Sequence, residues 1–308
     1  MRAAMALACA VALAGCGADM PAPPRIDGEV DAWLDAREAT FDNIVPGTEK
    51  RVLWAGETGE RTDWAIVYIH GFSASSEELR PIPERLSDAL GANVCYTRLA
   101  GHGRDSEAMA EPRVEDWLAD MAEALAVGER IGERVMLIGT SNGGALTAIA
   151  TARYPDRVDA AVLISPVFGV PRRGAFLLEW PGARIWLPWV LGPTGGFAPE
   201  NPDHALYWTE SYPTEALVPV QRVIGLAQDA PLNEAEAPAL LFYSPDDKVV
   251  SPEAIRTQMA EWGAPVTTVE IPAQEGMDPS NHVLAGDILS PALTEPVTQR
   301  ILDWVAGL

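Results

Sequence analysis

Short, largely apolar runs alternate with longer amphipathic stretches along most of the chain. Trp64–Ile69, Asn93–Arg98, the run that opens at Val135, Ala160–Ile164, Ala239–Tyr243 and Val266–Ile271 are the apolar runs. The continuous apolar run Trp64–Ile69 predicts a strand buried on both faces of a parallel sheet, the other runs predict further strands, and Arg51–Ala55 reads as an edge strand. Between them, helical spacing predicts helices over Glu29–Thr40, Ser76–Leu90, Val114–Ile131, Ala145–Ala152, Pro252–Trp262 and Pro296–Val305. Strand and helix in regular succession predict a doubly wound α/β sheet, mostly parallel, over residues 28–308.

One interval breaks the rhythm. From about 166 to 238 there is no clean strand and helix alternation, and Trp180, Trp186, Trp189 and Trp208 gather there, four of the chain's ten tryptophans. A structureless loop of that length is rare in a compact domain, so the interval predicts a cap inserted into the sheet domain. Its run Phe176–Trp180 and the run Ile185–Leu191 suit either the lining of an acyl pocket or the packing of the cap on the sheet.

The N-terminus carries a different signal. Arg2, the apolar stretch Ala3–Leu13 and Leu13-Ala-Gly-Cys16 predict a secretory signal over residues 1–15, too short to span a bilayer as a helix. Leu-Ala-Gly-Cys resembles a bacterial lipobox, which implies a lipidated Cys16 and a membrane anchor. Gly17 after it lacks the acidic retention signal of inner-membrane lipoproteins, so the resemblance implies the outer membrane of a bacterial envelope, facing the periplasm. Met20-Pro-Ala-Pro-Pro24 predicts an extended tether within residues 16–27. Beyond Cys16 the only cysteine is Cys95, so no internal disulfide framework is available. A formal net charge of −22 argues against nucleic-acid partners and against attraction to anionic lipid.

The chemistry centres on Gly139-Thr-Ser141-Asn-Gly143. An apolar strand running into a glycine-flanked serine and then into the Ala-rich segment Ala145–Ala152 is the pattern of a nucleophile elbow, in which a sharp turn holds the serine hydroxyl out into a cleft. A serine hydroxyl is weakly nucleophilic near neutral pH and needs a base, an orienting acid and an oxyanion site. The chain has four histidines, His70, His102, His204 and His282, and in this fold the base follows the acid, which follows the serine. Only His282 lies beyond the acids after the cap. Ser244-Pro-Asp246-Asp247-Lys-Val-Val250, at the end of an apolar strand, supplies two acid candidates. Asp247 is preferred because it directly precedes Lys-Val-Val. Asp278 shares a loop with His282 and is a weaker choice. His70 and His102 read as structural histidines beside the site, and His204 as a surface or capping residue.

Taken together, His70-Gly71-Phe72, Leu99-Ala-Gly-His102-Gly103, Gly139-Thr-Ser141-Asn-Gly143, Asp247-Lys-Val-Val and Asn281-His282-Val resemble the α/β-hydrolases, most of all their carboxylesterase and monoacylglycerol-lipase-like branch. The resemblance implies Ser141 as nucleophile, Asp247 as acid, His282 as base, and the backbone N–H groups of Phe72 and Asn142 as oxyanion hole. It implies hydrolysis of hydrophobic carboxylic esters through an acyl-enzyme, with no metal and no organic cofactor. A thioesterase, acyltransferase or peptidase would keep the same triad, and a non-catalytic envelope lipoprotein would predict a damaged one. An Asp nucleophile, as in haloalkane dehalogenases and epoxide hydrolases, is disfavoured by Ser141.

Overall fold

The computed structural model describes residues 19–171 and 174–308. The signal segment 1–15 and Cys16 lie outside the described residues. In chain order the elements are α1 (Val30–Glu38), β1 (Arg51–Leu53), β2 (Thr62–Ile69), α2 (Ile82–Leu90), β3 (Asn93–Tyr96), α3 (Val114–Ile131), β4 (Gly132–Thr140), α4 (Asn142–Arg153), β5 (Ala160–Ile164), α5 (Ala183–Leu191), β6 (Thr194–Gly196), α6 (Pro202–Tyr207), β7 (Ser211–Pro213), α7 (Leu217–Gln228), β8 (Ala239–Tyr243), α8 (Pro252–Met259), β9 (Val266–Glu270) and α9 (Pro291–Val305).

Seven strands form the main sheet in the order β1-β3-β2-β4-β5-β8-β9. All neighbours run parallel except β1, which pairs antiparallel with β3 at the edge. The strand period of two sorts each apolar run onto two faces. Ala65, Val67 and Ile69 of β2 with Val135 and Leu137 of β4 join the core under α3, α4, α7 and α8. Ile66 and Tyr68 with Met136 and Ile138 join the opposite core under α2 and α9. Each fully buried Leu, Ile or Val contributes about 1.5–3 kcal/mol, so these unbroken runs dictate the sheet's centre.

Boundaries differ from the sequence reading where proline intervenes. The helix expected over Ser76–Leu90 is a 3₁₀ turn, Ser76–Leu79, followed by α2, because Pro81 holds Arg80 extended at ψ 139°. The last helix starts at Pro291 rather than Pro296, with Pro296 inside it. Pro291 occupies the first turn, where its missing N–H leaves no helical bond unmade.

The interval after β5 holds α5, a two-stranded antiparallel ribbon of β6 and β7, and α6. The helix that follows, α7, serves the sheet: Val223, Ile224 and Ala227 are buried in the core shared with α4. Parallel strands β5 and β8 need a crossover, and α7 completes it, so the excursion ends before α7 rather than at 238. Three bonds latch the excursion onto the loops at the strands' C-terminal ends. Thr209 N–H donates to Ser73 O at 2.7 Å, Asn201 Nδ2 donates to Ile288 O at 2.7 Å, and Arg184 donates to Ala110 O.

The described part of the Pro-rich segment lies against the domain. Tyr154 Oη donates to Pro21 O at 2.7 Å and Met20 O at 3.1 Å, and Met20 and Ile26 pack half-buried on the core. Among the described residues no helix is long and apolar enough to cross a membrane.

Candidate active site

Ser141 stands between the last residue of β4 and the first of α4, with φ 52° and ψ −112°. A non-glycine residue here is strained, and the surroundings hold it there. Its N–H donates to Ile164 O at 2.9 Å, and its carbonyl accepts from Ala145 and Val167 N–H, each at 3.0 Å. The flanking glycines are steric requirements. A Cβ on Gly143 would lie 2.1 Å from Ile69 O, and one on Gly139 would lie 2.4 Å from Gly143 O. The turn is therefore as tight as the GxSxG pattern demands. As the first residue of α4, Asn142 has a backbone N–H with no helical acceptor behind it.

Asp247 follows β8 in a tight turn. Its Oδ1 accepts from Val249 N–H at 2.7 Å and Val250 N–H at 2.9 Å, leaving Oδ2 to accept from His282 Nδ1 at 2.8 Å. The Asp247 side chain is fully buried. With Nδ1 committed to the carboxylate, the Nε2 lone pair of neutral His282 is available as a base. Burial opposes the His282 charge, but Asp247, Asp278 and Glu78 outweigh it and hold the imidazole above its ordinary range.

The other acid candidates do different work. Asp246 is exposed, and its Oδ2 accepts from Ala273 N–H at 3.0 Å. Asp278 binds backbone: it accepts from the N–H groups of Ser280, His282 and Val283, each at 3.0 Å, and from the Ser280 hydroxyl. These bonds, rather than its burial, dominate in sum and hold its carboxyl below the usual range. It shapes the loop that carries His282.

Two residues that carry no role of their own in the sequence reading tie the loops together. Ser165, at φ 45°, donates its hydroxyl to His282 O at 2.7 Å, while two residues on Val167 N–H holds Ser141 O. Residues 165–167 thus brace both the serine turn and the histidine loop. Asn281 precedes His282 at φ 57° and donates Nδ2 to Asp246 O at 3.1 Å. Ser73, Ser141, Ser165 and Asn281 are the non-glycine residues with positive φ among the described residues, and all four lie at this end of the sheet. No periodicity in the sequence marks such strain.

The loop after β2 is fixed from beneath. His70 Nε2 accepts from Leu99 N–H at 3.1 Å, so Nδ1 carries the proton and donates to Gly71 O at 2.8 Å. Burial, followed by the neighbouring His102, pushes the His70 imidazole well below its ordinary range. Burial also carries His102 down to about 4. Both are neutral structural histidines, welding the Gly71-Phe72 turn to Leu99–Gly103. Phe72 packs edge-on to His102, Trp117 and Tyr212, at centroid distances of 5.7, 6.3 and 5.0 Å. His204 is buried rather than superficial: its Nδ1 accepts from Glu200 N–H at 3.1 Å, and its ring stacks on Phe197.

In the excursion, Ala183 and Leu187 of α5 face inward, whereas Ile185, Trp189, Val190 and Leu191 are exposed, Trp189 to 88%. Trp180 is exposed as well, so these tryptophans do not line a closed pocket. Among the described residues no three His, Cys, Asp or Glu side chains are grouped to hold a metal ion.

The α/β-hydrolase fold family model matches residues 65–203. The chain is 30% identical over 187 residues to the thermostable monoacylglycerol lipase of Bacillus sp. (strain H-257), an alignment covering 61% of this chain and 72% of that enzyme. It belongs to the α/β-hydrolase fold family, on the carboxylesterase and monoacylglycerol-lipase-like branch. Solved structures share the fold. One of the metagenome-derived lipolytic enzymes LipS and LipT superposes with a TM-score of 0.66 at 22% identity, covering 86% of this chain and all 100% of that one. The monoacylglycerol lipase of Paleococcus ferrophilus superposes with a TM-score of 0.59 at 18% identity, covering 84% and 99%.

Proposed function

We propose that the protein hydrolyses carboxylic esters with hydrophobic acyl groups through a Ser141-His282-Asp247 triad and an acyl-enzyme. The observation that carries this reading is the 2.8 Å bond from His282 Nδ1 to buried Asp247, made at the strand ends where Ser141 is held in its strained turn. The kinship with a monoacylglycerol lipase supports an ester substrate.

The steps follow from the roles. His282 Nε2 takes the Ser141 hydroxyl proton as Oγ bonds to the ester carbonyl carbon, and the carbonyl electron pair moves onto oxygen. The N–H groups of Phe72 and Asn142 hold that oxyanion, each such donor being worth about 3 kcal/mol in reactions of this kind. The imidazolium, steadied by Asp247, gives its proton to the departing alkoxide as the C–O bond breaks. Water then repeats the sequence on the acyl-enzyme, freeing the acid and restoring Ser141. No step requires a cofactor.

The lipobox-like Leu13-Ala-Gly-Cys16 supports an envelope protein anchored through lipid on Cys16, at the outer membrane facing the periplasm. Metabolic labelling with palmitate tests the anchor: incorporation that Cys16→Ser abolishes is expected, and labelling that survives the substitution contradicts it. For the reaction, p-nitrophenyl esters of increasing acyl length are the assay. Turnover with an optimum in chain length is expected; cleavage of thioesters or amides in preference to every ester would redirect the reading to another acyl transfer.

A further inference from the structure

Glu78 lies in the 3₁₀ turn Ser76–Leu79 behind the oxyanion loop, and it is 3% exposed. Its Oε2 accepts from Gly71 N–H at 2.8 Å and from Tyr68 Oη at 2.8 Å. The free hydrogen position on the Gly71 Cα reports where the other oxygen points. A Cβ built there would lie 2.9 Å from Glu78 Oε1 and 3.4 Å from Ser141 Cβ, so the carboxylate borders the nucleophile across a glycine. The histidine loop closes the other side: a Cβ on Gly286 would lie 2.2 Å from Glu78 O, and Asp287 N–H donates to Arg80 O at 2.9 Å.

A buried carboxylate is costly unless a cation or several donors answer it. The other buried acids are answered. Glu38 pairs with Arg98 at 2.7 Å, Glu77 with Arg80 at 2.6 Å, and Asp247 with His282 at 2.8 Å. Asp278 is held by three backbone N–H groups. Among the described residues Glu78 pairs with no lysine or arginine. Burial raises the Glu78 carboxyl above its usual range; the Gly71 N–H, the Tyr68 hydroxyl and, alone among the cationic groups of the described residues, the charge of His282 oppose that rise. That charge is present only when the imidazole has taken a proton, which in the reaction proposed above is the state created by attack of Ser141.

We propose that Glu78 is a positioning residue of the active site, a second counter-charge that favours the His282 imidazolium while its Oε2 fixes the Gly71 peptide of the oxyanion loop. The role rests on the Ser141-His282 reading. It differs from that of Asp247, which orients the ring through Nδ1. Glu78 acts across space from the loop side, and its orientation is set by Tyr68 and Gly71. The groups whose charges bear on His282 are Asp247, Asp278 and Glu78; those bearing on Glu78 are His282 and, through its hydroxyl, Tyr68.

The test is a ¹⁵N-imidazole NMR titration of the whole protein, whose four histidines are assigned by single His→Gln substitutions. Glu78→Gln keeps an oxygen to accept from Gly71 and Tyr68 and removes only the charge. The His282 midpoint is expected to fall by about half a pH unit or more, the size of a modest loss of charge interaction. An unchanged midpoint would reduce Glu78 to a neutral prop for the loop and overturn the proposal. Should Glu78→Gln not fold, Tyr68→Phe replaces it: loss of the donor favours the protonated carboxyl, so the midpoint moves down as well, and an unmoved midpoint overturns the proposal. The titration needs no turnover. A failure here is thus separate from a failure of the ester-hydrolase reading, which Ser141→Ala reports on its own.

Discussion

Ser165, the first residue beyond β5, donates its hydroxyl to the backbone carbonyl of His282 at 2.7 Å, although 117 residues separate them. Both residues are buried, and Ser165 adopts φ 45° to make the contact. The bond joins the centre of the sheet to the loop that carries the proposed base. Removing the hydroxyl leaves a buried carbonyl without its donor, a loss of about 1–3 kcal/mol.

Ser165→Ala is therefore expected to stay folded with a lowered denaturation midpoint, and to lose turnover about tenfold because His282 is held less well, displacements of an ångström being worth up to about a hundredfold. Steady-state kinetics beside a denaturant titration checks this. Lost stability at full kcat would mean the loop keeps its place without the bond.

The two neighbouring aspartates should separate cleanly. Asp247→Asn removes the carboxylate that fixes the His282 tautomer and is expected to lower kcat by about ten-thousandfold, whereas Asp246→Asn, exposed and bonded to a backbone N–H, should stay within about threefold. Kinetics of the two variants under identical conditions decides between them. The reverse ranking would move the acid to Asp246.

Activity should rise with pH through a single limb. His282 accepts a proton only when neutral, and its surroundings hold it above the ordinary imidazole range. The midpoint of kcat/KM against pH is therefore expected above about 6.5. A limb centred well below that value would show that the surrounding carboxylates do not act on the base.

Stability should follow the opposite pair of histidines. Burial keeps His70 and His102 neutral in the folded protein, His102 down to about 4, while in the unfolded chain both titrate near about 6.5. The unfolded state binds more protons in between, so this contribution is fully present above about 6.5 and is lost as pH falls toward 4. Thermal melts from pH 7 to 4.5 should show a declining Tm, and the decline should be shallower in His102→Gln. An equal slope in both proteins would remove His102 from the account.

The glycine at the elbow leaves no room for compromise. A methyl group on Gly143 would lie 2.1 Å from Ile69 O and 2.6 Å from His70 O, both of them backbone atoms of the central strand and its loop. Gly143→Ala is expected to destabilise by about 3 kcal/mol or more, or to prevent folding, as severe overpacking does. Soluble expression and a melt with near-native Tm would contradict the tightness of the turn.

The centre of the sheet was legible because β2, β5 and β8 are nearly unbroken apolar runs, and the serine turn because glycines at 139 and 143 have few other uses after such a run. The order of serine, acid and base came from the fold, and it eliminated three of the four histidines to leave His282 as the candidate base. What escaped was long-range or proline-dependent. Nothing near Ser165 announces a bond to His282, and Glu78 reads as one polar residue in a helix until the 3₁₀ turn places it behind Gly71. The assignment of α7 to the sheet rather than to the cap was hidden because Leu217–Gln228 is interrupted by Pro219 and sits in a run that reads as irregular.

The central claim is that Ser141 carries the acyl group. A fluorophosphonate that reacts with activated serines, followed by peptide mass spectrometry, tests it directly, with Ser141→Ala assayed in parallel on p-nitrophenyl butyrate. The account expects one adduct, on the peptide containing Ser141, and a loss of turnover on the order of a million-fold in the variant. An adduct on another residue, or hydrolysis undiminished in Ser141→Ala, would contradict it.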